Sequence, residues 1–132
     1  MRLAKAELVI AAVVFLTFGF GFLIAPVQWA SIVDIVIPTP TARTDFRATY
    51  GGFEIGMGLF LGACAFRPEW LRPGLVALAL VAAGFGAGRL AGILVEGSAG
   101  PLMLGFVMLE WSIALVTLYV LRRLSRGVGQ VQ

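Results

Sequence analysis

The sequence predicts an all-α integral membrane protein, a four-helix bundle with a short interfacial segment after the first helix. Of its 132 residues 60% are hydrophobic and 13% charged, whereas a soluble domain is about 45–50% apolar and about 25% charged. The mean hydropathy is +0.98. Near-continuous apolar runs of about 20 residues, enough to cross about 30 Å of hydrocarbon, recur along the chain. At this length we expect one transmembrane domain over residues 1–132.

The first apolar run, Leu8 to Ala25, predicts a helix that is retained in the mature protein. The preceding MRLAK is basic, as in a signal peptide, but the run is long for one and lacks a small-residue cleavage site. Residues 26–37 are too few to span. They begin with a proline and contain Trp29 and Asp34, which predicts a segment lying in the membrane interface.

Three further spans are predicted, and each is apolar around its whole circumference. They run over Phe46–Phe66, Pro73–Val95 and Pro101–Leu121. The links RPEWLRP and EGSAGP between them are rich in turn-forming residues. Because these links are short, we expect neighbouring helices to be antiparallel.

Basic residues near the span ends predict the orientation. Arg43 and Arg47 lie on one side, and the other side has the larger set Arg2, Lys5, Arg67, Arg72, Arg122, Arg123 and Arg126. We therefore expect a multi-pass protein of the inner (plasma) membrane with both termini cytoplasmic. Cations that lie mainly at the ends of apolar runs, and not along one polar face, do not indicate nucleic acid. With no histidine and only Cys64, we expect no metal site and no cofactor.

Four charged residues fall within the predicted spans: Arg47, Glu54, Arg89 and Glu110. From the 1.5 Å rise per residue, all four lie in the outer half of the bilayer, with both glutamates near the midplane. A charge at a helix centre costs roughly 2.5–3.5 kcal/mol. We therefore expect an interior polar cluster, with Tyr50 on the same stripe, that opens to the non-cytoplasmic side. Alternatively, a buried glutamate stays protonated.

Glycines at three- and four-residue spacings predict close helix packing. The glycines assigned to this packing are Gly51, Gly52, Gly56, Gly58, Gly62, Gly84, Gly88 and Gly92.

Three functions are compatible with a polar cluster of this kind. It is a ligand site for a small amphiphile such as a lipid or quinone head group, or it fixes helix register in a structural or assembly subunit of a larger membrane complex. The third is a proton-coupled transporter. No nucleophile and base occur together, so an enzyme is disfavoured. Expected partners are membrane lipids, the amphiphile, and a second copy or another membrane subunit, without nucleic acid.

Three segments carry a resemblance: DFRATYGGFEIGMGL, GAGRLAGILVEG and MLEWSIALVTLYVLRR. Over about Thr44 to Arg123 the chain resembles an uncharacterised family of short bacterial four-helix membrane proteins with an R-A-x-Y-G-G motif, and more remotely the DoxX-like proteins. The resemblance marks Arg47, Tyr50, Gly51, Gly52, Gly58, Arg89 and Glu110. It implies no activity, while the DoxX-like relation implies association with redox or quinone-linked membrane complexes.

Overall fold

The computed structural model describes the backbone of residues 1–128 and the side chains of residues 1–125. The described backbone is helical and contains no β-strand, which confirms the all-α class. Three helices are long and apolar enough to cross a membrane: Arg2–Ile24, Pro68–Glu96 and Pro101–Ser125. The four-helix bundle stays a prediction. The side chain of Arg126, which entered the orientation analysis, lies outside the described residues.

Six α-helices, a π-helical segment and a 3₁₀ turn make up the described chain. The elements are α1 Arg2–Ile24, α2 Pro26–Ser31, α3 Pro40–Phe46, the π-helical segment Arg47–Gly52, α4 Phe53–Phe66, the 3₁₀ turn Pro68–Trp70, α5 Leu71–Glu96 and α6 Pro101–Val128. Proline begins four of them because its missing N–H is not needed in a first turn. Gly97, with φ 70°, ends α5 in the left-handed conformation that glycine adopts without strain.

The predicted span 46–66 lies inside a continuous helical run formed by α3, the π-helical segment and α4. Its α4 portion has 14 residues, which is short of the roughly 20 that a span needs. The π-helical segment adds six residues, and the run from Arg47 to Phe66 then reaches that length without α3. In the predicted interfacial segment, α2 covers the first six residues and Asp34 has φ 59°.

The chain separates into two compact units. The first contains Met1–Leu8 and the chain from Cys64 onward, and the second is Val9–Ala63. In the first unit α5 and α6 form an antiparallel hairpin. A Cβ atom on Gly86 would lie 3.0 Å from Nε1 of Trp111. The absence of a side chain at Gly86 therefore leaves room for the indole ring to pack against α5.

In the second unit, α1 approaches the π-helical segment and α4 through glycines. A Cβ atom on Gly51 would lie 3.0 Å from the backbone nitrogen of Leu23 and 3.2 Å from the carbonyl oxygen of Gly19. At Gly58 a Cβ atom would lie 3.1 Å from the carbonyl oxygen of Ala12. An aromatic cluster closes one end of this unit; its members are Phe18, Phe22, Trp29, Phe46 and Tyr50.

Large apolar side chains cover the outside of the helices. Leu80 is 69% exposed, Leu94 75% and Leu115 64%. Soluble monomers rarely expose apolar surface on this scale. These leucines are exposed because the helices are apolar around their whole circumference. Such surfaces are stable in lipid or against another protein.

We expect Gly51→Ala to destabilise the protein and Gly56→Ala to leave it unchanged or slightly more stable. Alanine improves helix propensity at both positions by about 1 kcal/mol. At Gly51 the new methyl group would press on the backbone of α1, whereas no described atom lies within 4 Å of a Cβ at Gly56. We expect a loss of about 1–3 kcal/mol in the first variant.

Thermal unfolding of the two purified variants in one detergent, followed by circular dichroism, checks this difference. Equal melting temperatures, or a higher one for Gly51→Ala, would show that α1 does not approach residue 51 closely.

Candidate functional site

An ion pair between α5 and α6 joins Arg89 and Glu110. Nε of Arg89 donates a hydrogen bond to Oε1 of Glu110 at 2.8 Å. Arg89 lies seven residues before the end of α5, and Glu110 lies nine residues after the start of α6. An antiparallel hairpin therefore places them at similar levels. The pair is asymmetric, because the Glu110 side chain is 10% exposed and that of Arg89 32%.

Two aromatic rings flank the guanidinium group of Arg89. Its central carbon lies 5.1 Å from the ring centroid of Phe106 and 5.9 Å from that of Phe85. Each phenylalanine precedes its charged residue by four positions on the same helix, which puts both on the paired face. The rings attract the cation through their negative faces and surround the ion pair with apolar surface.

Hydrogen-bonding capacity remains on both partners of the pair. Within the described side chains, Arg89 makes its one hydrogen bond through Nε, so the two Nη groups are left over. On the buried side, Oε2 of Glu110 has no hydrogen-bond partner. A guanidinium held by one nitrogen can still donate to a carboxylate, phosphate or carbonyl oxygen that approaches from the exposed side.

The glycines assigned to helix packing fall into different environments. Gly51 and Gly58 have the close neighbours described above, and Gly62 has an ordinary contact at 3.8 Å with Cβ of Ala12. At Gly52 the nearest atom is the carbonyl oxygen of Arg47, at 3.8 Å. No described atom lies within 4 Å of a Cβ built at the remaining members, Gly56, Gly84, Gly88 and Gly92. Arg89 therefore lies next to a part of the α5 surface, at Gly88, that no other described element covers.

Arg47 and Tyr50 lie near the end of α1 in the second unit. Nε of Arg47 donates to the carbonyl oxygen of Leu23 at 3.0 Å. Carbonyl groups in the last turn of a helix lack partners within the helix. A cation there also interacts favourably with the negative end of the helix dipole. Tyr50 stacks on Phe46, with ring centroids 4.3 Å apart. Both residues thus have local structural contacts.

Glu54 belongs to the same unit as Arg47 but forms no ion pair with it. The glutamate is half-buried, and its Oε2 atom has no hydrogen-bond partner. The structure thus pairs Arg89 with Glu110 and places Arg47 and Tyr50 at the end of α1. The five-residue cluster stays a prediction from helix depth.

The π-helical segment coincides with RATYGG, the residues of the R-A-x-Y-G-G pattern. Sequence reasoning treated this stretch as an ordinary α-helix. A π-helical turn inserts an extra residue into the turn and is found frequently at functional sites. Paired glycines, which are poor α-helix formers, were the available signal.

A second internal polar contact, between Thr117 and Glu7, was missed by sequence reasoning. Thr117 is fully buried, and its hydroxyl donates to Oε1 of Glu7, with the carbonyl oxygen of Ile113 also within 2.8 Å. The other carboxylate oxygen of Glu7 has no partner. Glu7 was overlooked because a charge two residues after Lys5 suggests a solvated helix end.

Among the residues that the structure describes, no three His, Cys, Asp or Glu side chains are grouped closely enough to hold a metal ion.

Helices of membrane-spanning length and an internal Arg–Glu pair define an all-helical protein compatible with a membrane location. Residues 3–121 match the family described as "Domain of unknown function (DUF4345)", and the chain belongs to this family. The match includes the first helix, beyond the stretch that the resemblance covered. Comparison with curated proteins and with solved structures finds no match. The R-A-x-Y-G-G motif and the DoxX-like relation stay predictions.

We expect a double-mutant cycle on Arg89→Met and Glu110→Leu to give a coupling free energy of about 1–2 kcal/mol, within the range of interhelical polar pairs in membranes. The reason is that each single variant leaves the other charge without its partner. Denaturant unfolding in a fixed detergent provides the four free energies. Arg72→Met combined with Glu110→Leu is the control, since Arg72 lies near the opposite end of α5. Additive effects in the first cycle would contradict the ion pair.

We expect Thr117→Val to lower the free energy of unfolding by about 1 kcal/mol more than Thr17→Val, because only Thr117 loses a bond to a buried carboxylate. The control is matched, since Thr17 also donates to the carbonyl group four residues earlier, at 2.8 Å, but is exposed. Unfolding in the same detergent measures both. An equal loss in the two variants would mean that the Glu7 contact contributes nothing.

Proposed function

We propose that this protein is a multi-pass membrane protein that binds the oxygen-rich head group of a small amphiphile, such as a lipid or a quinone, at the Arg89–Glu110 pair. The observation that carries the proposal is the exposure of Arg89. Its side chain is one-third exposed and makes one described hydrogen bond, although its partner Glu110 is buried. An arginine left partly open inside an apolar surface needs a further polar partner.

In this proposal Glu110 holds Arg89 in position and the guanidinium binds the ligand. The Nε bond to Glu110 fixes the plane of the group, so the Nη donors are preorganised for oxygens approaching from outside. Phe85 and Phe106 provide apolar contacts beside the head group. The open surface at Gly88 and Gly92 gives an acyl or isoprenoid chain room along α5.

The topology of the proposal follows the distribution of basic residues. Four membrane spans with both termini in the cytoplasm place the Arg89–Glu110 level in the outer half of the bilayer. A ligand would then enter from the non-cytoplasmic leaflet, where an amphiphile's head group and tail are already partitioned between interface and hydrocarbon.

A second candidate, a structural or assembly subunit of a larger membrane complex, is favoured by the glycines of α5. Gly84, Gly88 and Gly92 recur every fourth residue and leave open space. In membranes such a pattern lets a partner helix approach closely. In that case a side chain or carbonyl group of the partner subunit would take the place of the amphiphile beside Arg89.

We expect a co-purifying small molecule to be present on the wild-type protein and lost from Arg89→Gln, since the amide of glutamine replaces the charged donors of the guanidinium. Native mass spectrometry of protein released from its own membranes measures this directly. Arg43→Gln is the matched control, because it removes one arginine that donates to the carbonyl oxygen of Pro38.

Bare protein in the wild type, or the same bound molecule on both wild type and Arg89→Gln, would contradict the amphiphile site. Bare protein that retains a second subunit would instead support the assembly candidate.

A further inference from the structure

Away from the Arg89–Glu110 site, four helix ends of the first unit meet. At this end α1 begins at Arg2, α4 ends at Phe66, α5 begins at Leu71 and α6 ends. Side-chain contacts tie these ends together. Glu7 of α1 bonds Thr117 of α6, and a Cβ atom on Gly74 of α5 would touch both Leu8 and Cys64.

Cations dominate this end of the unit, which we name the basic end. Its described cationic side chains are Arg2, Lys5, Arg67, Arg72, Arg122 and Arg123. The carboxylates nearby are Glu69, which is exposed, and Glu7, which is engaged by Thr117. The excess of positive charge is therefore not neutralised by the described residues of the unit.

Local contacts hold three of these arginines in place. Nη1 of Arg72 donates to Oγ of Ser125 at 3.4 Å, so this guanidinium bridges the start of α5 and the end of α6. The guanidinium carbon of Arg67 lies 4.8 Å from the ring centroid of Trp70.

On α6, the corresponding distance from Arg123 to the ring of Tyr119 is 5.1 Å. Tryptophan and tyrosine rings prefer the head-group level of a membrane. Arginines that rest on such rings are held at the depth of lipid phosphates.

We propose that the basic end binds the phosphate head group of an anionic phospholipid between the start of α5 and the end of α6. Arg72, Arg122 and Arg123 would donate to the phosphate oxygens. Basic sites between membrane helices at this level bind anionic head groups. Exposed apolar side chains lie on the membrane side of the cations, among them Val76 and Leu118, and would contact the acyl chains.

Membrane lipid fits this surface better than nucleic acid does. The cations are placed beside interfacial aromatic rings and next to exposed apolar helix surface. A nucleic-acid site needs a basic face that extends along a polar surface. An anionic phospholipid matches both the charge and the apolar continuation.

The test compares binding of phosphatidylglycerol and phosphatidylcholine to full-length protein in detergent, by native mass spectrometry over a lipid titration. We expect the wild type to prefer the anionic lipid. Removing one cation near a membrane surface lowers the affinity for anionic lipid about fivefold. We expect this loss for Arg72→Gln and for Arg122→Gln, and almost none for Arg43→Gln, which removes the same charge from the second unit.

Arg122→Gln is not expected to disturb folding, because Arg122 is exposed and makes no described hydrogen bond. A loss of lipid affinity in this variant therefore reports on binding. Equal affinity for the two lipids, or equal losses in Arg122→Gln and Arg43→Gln, would overturn the proposal. Arg89→Gln separates it from the proposed amphiphile site. We expect that variant to keep its phosphatidylglycerol preference. If Arg89→Gln abolishes the preference and Arg122→Gln does not, the anionic lipid belongs to the Arg89–Glu110 site instead.

Discussion

Polar groups among apolar helices are stabilised by partners within the protein, and this constraint accounts for the hydrogen bonds that join separate helices. Helices satisfy the backbone internally. The polar side chains then bond one another or leftover carbonyls: Arg89 bonds Glu110, Thr117 bonds Glu7 and Arg47 bonds Leu23. Each bond joins separate elements, so satisfying a polar group also fixes the position of a helix.

The asymmetry of the Arg89–Glu110 pair connects stability with binding. A closed ion pair would fasten α5 to α6 and do nothing else. Here Glu110 is buried, while the side chain of Arg89 remains one-third exposed. The buried half serves as the anchor, and the exposed half has unused donors. One pair can therefore hold the hairpin in register and present a preorganised cation to a ligand.

The glycines assigned to helix packing serve two different purposes in this chain. Gly51 and Gly58 admit the backbone of α1, whereas Gly84, Gly88 and Gly92 face open space. In the first group the missing side chain permits packing inside the protein. In the second it leaves a smooth surface for a lipid chain or another helix. Gly51 and Gly58 are seven residues apart and the α5 glycines four, and both spacings keep each group on one helix face. Only the neighbouring elements distinguish the two groups.

The sequence by itself determined the helical class, the membrane-compatible helices and the similar level of Arg89 and Glu110 on neighbouring helices, because hydropathy and a fixed rise per residue set length and level. Tertiary structure alone decided the remaining partners. Arg47 bonds a backbone carbonyl, which has no residue-specific signature, and Thr117 meets Glu7 across 110 positions. Periodicity gives the face and depth of a side chain. It does not identify the neighbour, because that depends on which helices pack together.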